Sequence, residues 1–137
     1  MTKPLLLKNL RLMGTDAADV LIEDGRIAQI APKINPTAEV TVEDCDSALA
    51  LPGLVDAHAH LDKTLWGMPW HPHQQGKSLQ QMIDTERALR HELDMDAERQ
   101  SARQVALSLS KGTTAIRSHV DIDTEHGLSL HRGVVAT

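Results

Sequence analysis

At Pro52-Gly53 the patterning of this 137-residue chain changes period, and that change limits the folds open to it. Proline cannot donate to a strand ladder and glycine weakens a strand it enters, so no regular element runs through the pair. Upstream, residues 5–12 are apolar with Lys8 and Arg11 interspersed. Val20-Leu21-Ile22 and Ile27-Ala28-Gln29-Ile30 then flank Glu23-Asp24-Gly25-Arg26. Asp-Gly between two apolar runs predicts a tight hairpin, because Gly tolerates the positive φ such a turn demands. Val40-Thr41-Val42 and Ala48-Leu49-Ala50-Leu51 predict two further strands, which makes residues 1–52 a small β-sandwich segment.

Downstream the spacing alternates between strand and helix. Leu54-Val55-Asp56-Ala57-His58-Ala59-His60-Leu61 is strand-like, and an irregular loop carrying Trp66, Trp70, His71 and His73 follows it. Ser78 and Gln81 form a capping-box pattern ahead of Leu79, Met82, Ile83, Leu89 and Leu93, which predicts a helix over 79–93. Asp96 caps a second helix that runs to Lys111-Gly112, and the β-branched stretch 113–122 predicts a strand. Strand, two helices, strand is a parallel crossover of an α/β chain. Residues 127–137 begin to look helical around Leu128 and Leu130.

Composition closes off several functions. The formal charge of -5 gives no attraction to a phosphate backbone or an anionic membrane, which argues against nucleic acid and membrane partners. Lys8 interrupts the first apolar run, and no stretch approaches a membrane span, so the cytoplasm is the expected location. Cys45 is the sole cysteine, which excludes an intrachain disulfide and a Cys-rich zinc site. It sits in the acidic run Glu43-Asp44-Cys45-Asp46, where a thiolate is disfavoured. Two tryptophans with no Phe and no Tyr predict an aliphatic core.

The chemistry concentrates in the strand after Gly53. On a strand, His58 and His60 share a face about 6.6 Å apart, and two imidazoles so placed can converge on one cation. Asp56 lies on that face, while Val55, Ala57, Ala59 and Leu61 take the other. A bare His-x-His is also found as two ordinary histidines in a polar loop. His119 and Asp121 share a face of the strand over 113–122 and either approach the same pocket or satisfy one another. Asp62 and Lys63 either orient the loop after the first strand or form an ordinary ion pair. Trp66 and Trp70 either cover a planar ring substrate or pack against the helices. Pro72 and Gln74-Gln75-Gly76 place His71 and His73 in a solvated loop, and His91, His126 and His131 read as surface residues.

Pro52-Gly53-Leu54-Val55-Asp56-Ala57-His58-Ala59-His60-Leu61-Asp62-Lys63-Thr64 resembles the first barrel strand of the amidohydrolase superfamily, and specifically its cytosine deaminase-like branch, where His-x-His-Leu-Asp before a Thr-containing turn recurs. The likeness extends back to the hairpin over 22–30 and forward to Gly112-Thr113-Thr114-Ala115-Ile116-Arg117-Ser118-His119-Val120-Asp121. It implies the β-sandwich segment 1–52 followed, over 53–137, by the first β-α-β unit of an incomplete TIM-type (β/α)8 barrel, which when whole needs about 250 residues. His58 and His60 would be ligands to zinc or iron. Asp56, Asp62, His119 and Asp121 would stand in or behind the pocket, with Trp66 and Trp70 on the substrate side. The acid–base groups and remaining ligands are expected beyond Thr137. The implied reaction is hydrolysis of a non-peptide carbon–nitrogen bond in a small nitrogen heterocycle or cyclic amide, by a homo-oligomer when full length. The 137 residues alone are expected to be inactive. The alternative is a non-catalytic binding module that needs a partner chain to complete the barrel.

Overall fold

A computed structural model describes residues 3–14, 16–37, 39–72 and 76–137. The chain gathers into two compact units that divide between Pro52 and Gly53. The first holds strands β1 (Leu5–Leu12), β2 (Ala17–Glu23), β3 (Arg26–Ala31), β4 (Thr41–Asp44) and β5 (Leu49–Ala50). β2 and β3 are the antiparallel hairpin, and Asp24 and Gly25 both take the positive φ of a type I′ turn, at 47° and 73°. The sheet order is β3-β2-β1-β4, with β5 also on β1, and β4 and β5 both run parallel to β1. Among the described residues these five strands form a single mixed sheet. β1 takes β2 along one edge and β4 and β5 in succession along the other. The buried apolar residues, Leu6, Leu10, Val20 and Ile34, are all aliphatic.

The central strand is irregular, and one carboxylate compensates for that. Pairing of β1 with β2 shifts register between Leu7 and Leu10, where Asn9 adopts a φ of 56°. A backbone N–H released from the ladder needs another acceptor. Asp19, only 2% exposed, accepts from the N–H of Asn9 at 3.0 Å and of Ile34 at 2.8 Å. These two bonds, Ile34 first, outweigh burial and hold the Asp19 carboxyl below the ordinary carboxylate range. A depressed pKa contributes stability that is full above the unfolded-state value and is lost as pH falls through the folded-state value. Asp19→Ala should cost roughly 1–3 kcal/mol at neutral pH by orphaning two N–H groups. In urea unfolding the gap between variant and wild type should narrow on acidification, and a gap independent of pH would refute the linkage.

The second unit contains β6 (Leu54–Ala59), a 3-10 turn (Leu61–Lys63), α1 (Leu79–Glu92), α2 (Ala97–Ser110), β7 (Thr113–Ser118) and α3 (Ser129–Val135). Both helix starts follow from local side chains: Ser78 Oγ accepts from Gln81 N at 3.2 Å, and Asp96 Oδ1 accepts from Arg99 N at 2.6 Å. Gln81 Oε1 accepts from Lys77 N rather than from the cap residue itself. β6 and β7 pair in parallel, and Leu54 and Val55 remain 54% and 67% exposed beside this two-stranded ladder. β6 ends at Ala59 and β7 at Ser118, short of the predicted 61 and 122. Side chains take over the ladder there: Leu61 N donates to Ser118 Oγ at 3.1 Å and Asp121 N to Asp62 Oδ2 at 2.9 Å.

α3 docks on the first turn of α2 through a glycine. A Cβ at Gly133 would stand 2.7 Å from Ala97 Cβ and 2.8 Å from Glu98 N. In an open helix interior, Gly to Ala stabilises by about 1 kcal/mol. Here Gly133→Ala should instead destabilise by roughly 1–3 kcal/mol through overpacking. A raised denaturation midpoint would disprove this contact.

Candidate functional site

The two loops that leave the carboxyl ends of β6 and β7 bring three histidines together. His58 is the penultimate residue of β6 and His60 lies one residue past its end, with ring centroids 5.4 Å apart. His119 follows β7, and its N–H donates to Ala59 O at 2.8 Å, the last rung between the two strands. Its ring centroid lies 4.6 Å from that of His58 and 5.6 Å from that of His60. Asp56 lies on the same strand and accepts from the His58 N–H at 3.1 Å. Asp56, His58 and His60 line a cavity of about 990 Å³. Among the described residues, no group of three or more His, Cys, Asp or Glu could hold a metal ion.

Lys63, Glu86, Arg90 and Asp121 form an alternating charge cluster beside this cavity. Lys63 Nζ is 3.1 Å from both Glu86 Oε1 and Asp121 Oδ2, and Arg90 Nη2 is 3.2 and 3.3 Å from the same two oxygens. Arg90 is 5% exposed. Burial raises the Asp121 pKa, but the Lys63 hydrogen bond and the charges of Lys63, Arg90 and His60 outweigh it and hold the carboxyl below its ordinary range. Burial likewise pulls Lys63 down, and its bonds to Asp121 and Glu86 reverse that and raise it. Asp121 is thus bonded to two cations rather than to His119.

α1 turns one face, Glu86, Arg87, Arg90 and His91, toward this charge. Arg87 Nε lies 3.6 Å from Asp123 Oδ2, and His91 Nε2 lies 2.7 Å from Glu125 Oε1. His126 pairs with Asp123 and stacks on His91 with centroids 5.2 Å apart. The backbone N–H of His126, then its side chain and the Glu125 N–H, bring Asp123 down to about 2 against burial. His91 is 56% exposed, a surface residue as read, and finds its partners in the segment after β7, whereas His126 is half-buried and pairs with its near neighbour Asp123.

α2 fixes the loop after the 3-10 turn. Gln100, fully buried, donates through Nε2 to Thr64 O at 2.8 Å and to Trp66 O at 3.2 Å. Thr64 Oγ1 in turn meets Gln104 Oε1 at 3.0 Å. Trp66 and Trp70 are 51% and 84% exposed and do not line the cavity. His71, assigned by its neighbours to a solvated loop, does line it, and its Nε2 is shielded with no hydrogen-bond partner among the described residues. His73 lies outside the described residues. Cys45 stands in the other unit, where burial and then Glu43 and Asp44 push its thiol up.

No family model matches the chain. Pairwise comparison does find relatives. Over 98% of its length the chain superposes on the crystal structure of N-isopropylammelide isopropylaminohydrolase from Burkholderia multivorans, with a TM-score of 0.89 and 41% identity. The chain belongs to the amidohydrolase superfamily. This amidohydrolase segment is also 37% identical over 112 residues to the uncharacterised protein YahJ of Escherichia coli, and 42% identical over 66 residues to dihydropyrimidinase 2 of Caenorhabditis elegans. Those alignments take in 80% and 46% of the segment. The segment spans 33% of the Burkholderia chain, 24% of YahJ and 13% of the dihydropyrimidinase. At 18% identity and a TM-score of 0.70, triazine hydrolase from Arthobacter aurescens shares the fold. No helix among the described residues is long and apolar enough to cross a membrane.

The charge cluster makes a measurable distinction. Asp121→Ala leaves Arg90 and Lys63 facing only Glu86, so it should destabilise by roughly 1–3 kcal/mol, part of the full penalty being screened by solvent. Arg90→Met removes the buried charge and keeps the aliphatic stem, so its loss should be smaller. Urea unfolding of both variants tests the order, and a larger loss for Arg90→Met would refute it.

Proposed function

We propose that the chain carries part of the metal centre of a hydrolase that cleaves a non-peptide carbon–nitrogen bond in a small nitrogen heterocycle or cyclic amide. The observation that carries this reading is the pair His58 and His60, side by side at the carboxyl end of a parallel strand and facing the cavity. Supporting it, the chain is 41% identical to a protein named for hydrolysing N-isopropylammelide. The finer placement in a cytosine deaminase-like branch rests on the His-Leu-Asp run over 60–62 and on that same likeness. We read β6, α1, α2 and β7 as the opening unit of a (β/α)8 barrel. The exposed Leu54 and Val55 suit further elements packing against them.

The residues present fit a divalent cation. The donors are imidazole nitrogens, which suit zinc and iron, and 38% of the His60 side chain remains exposed beside the cavity that it lines. His58 and His60 would hold the ion, which when bound lowers the pKa of a coordinated water and makes hydroxide available near neutral pH. Asp56 fixes the backbone at His58 through its bond to that N–H. Lys63 and Arg90 neutralise Asp121 beside His60. Ile83, Leu89 and Met95 give the cavity an apolar wall that excludes water from one side of a bound ring. The proton that must reach the leaving nitrogen needs a carboxylate or imidazole in the cavity, and His71, whose Nε2 is shielded and has no partner among the described residues, is one imidazole that lines it.

Calorimetric titration with zinc tests the ligand assignment. His58→Ala and His60→Ala should each weaken binding by about tenfold or more, since each removes one of two protein donors. Trp70→Ala should leave it unchanged. In a polypeptide containing this segment together with the rest of the barrel, release of amine from an N-alkylated triazine should be abolished by His58→Ala. Zinc affinity unaltered in both histidine variants would overturn the proposal.

A further inference from the structure

Behind His60 lies a carboxylate with one oxygen bonded and the other without a partner. Asp62 has a side chain with no exposure, and its Oδ2 accepts from the Asp121 N–H at 2.9 Å. Its Oδ1 and the Nδ1 of His60 are each shielded from solvent, each without a hydrogen-bond partner among the described residues, and 3.9 Å apart. A buried polar atom left unsatisfied costs roughly 1–3 kcal/mol. Water reaches neither atom, so the arrangement that relieves both at once is a bond between them. The geometry narrows how that bond is made. With Oδ2 already accepting from the Asp121 N–H, Oδ1 offers its lone pairs toward Nδ1, and an Nδ1 lone pair facing them would repel, so the proton of the pair belongs on Nδ1.

We infer that Asp62 is a positioning residue that fixes His60 in the Nδ1–H tautomer and so turns the Nε2 lone pair toward the cavity. The backbone on both sides is held for this purpose: Leu61 N is bonded to Ser118 Oγ and Ala59 O to His119 N, which leaves the ring little freedom except rotation about its own side-chain bonds. A histidine that binds a cation through one nitrogen is commonly oriented by an acceptor at the other. The consequence for a cation rests on the function proposed above, whereas the tautomer does not.

The test separates the two. In metal-free protein labelled with ¹⁵N-histidine at mildly alkaline pH, where imidazoles are neutral, the His60 signals are assigned by difference with His60→Gln. Wild type should show a protonated Nδ1 and an unprotonated Nε2. Asp62→Asn keeps an oxygen for the Asp121 N–H but can place its amide NH₂ against Nδ1, so the ring should move toward the Nε2–H tautomer, with zinc affinity falling roughly 10- to 100-fold. Ser118→Ala loosens the same loop without touching the pair and should leave the tautomer in place. An Nε2–H ring in wild type, no change in Asp62→Asn, or an equal change in Ser118→Ala would each overturn the inference. If Asp62→Asn does not fold, the wild-type spectrum decides: a downfield Nδ1 proton bonded to a carboxylate is expected, and its absence refutes the pairing. The expected tautomers without any zinc binding would sink the metal reading and leave the role of Asp62 standing.

Discussion

The hydrogen bond from the Asp121 N–H to the buried Asp62 carboxylate ties together the two loops on which the candidate residues of the cavity stand. His60 precedes Asp62 by two residues and His119 precedes Asp121 by two, so the spacing of the histidines is set by this tie and by its neighbours at Ser118 and Ala59. A strand ladder alone would continue the pleat and carry successive side chains to opposite faces. Ending both strands early and bonding their loops through side chains instead draws the three imidazoles into one cluster.

Around this tie the second unit is held as much by polar groups as by apolar ones. Leu61 and Leu130 are its buried aliphatic residues, beside Asp62, Arg90, Gln100 and Ser101. Each of these polar residues bonds at least one neighbour, as burial requires, and the bonds have direction where apolar contacts have none. Gln100 positions the loop after the 3-10 turn, and Arg90 positions α1 over the cavity. Arg90 also keeps two buried nitrogens without partners, so the cluster is specific in geometry without being a strong source of stability.

That balance suits a wall of a site. Helix α1 contributes apolar residues to the cavity and reaches the β7 side through ion pairs and one histidine stack. Ionic contacts at a partly exposed edge are weak and screened by salt, so α1 is the element of this unit whose docking responds most to ionic conditions. The first unit is built differently, around four aliphatic side chains and the Asp19 carboxylate that supports the irregular β1.

The sequence alone determined what depends on neighbours a few residues apart. Asp24-Gly25 set the hairpin, Ser78 and Asp96 started the helices, and the two-residue spacing of His58 and His60 placed them together. These features arise from short-range bonds that form whatever the rest of the chain does. The tertiary structure decided where β6 and β7 end, that the first five strands form one sheet, and that His71 faces the cavity while the tryptophans do not. It also made Asp121 the partner of Lys63, 58 residues away, and of Arg90, 31 residues away. Such pairings are invisible in sequence because any exposed Asp can meet any Lys or Arg; only burial beside a particular strand end selects one and makes its loss costly.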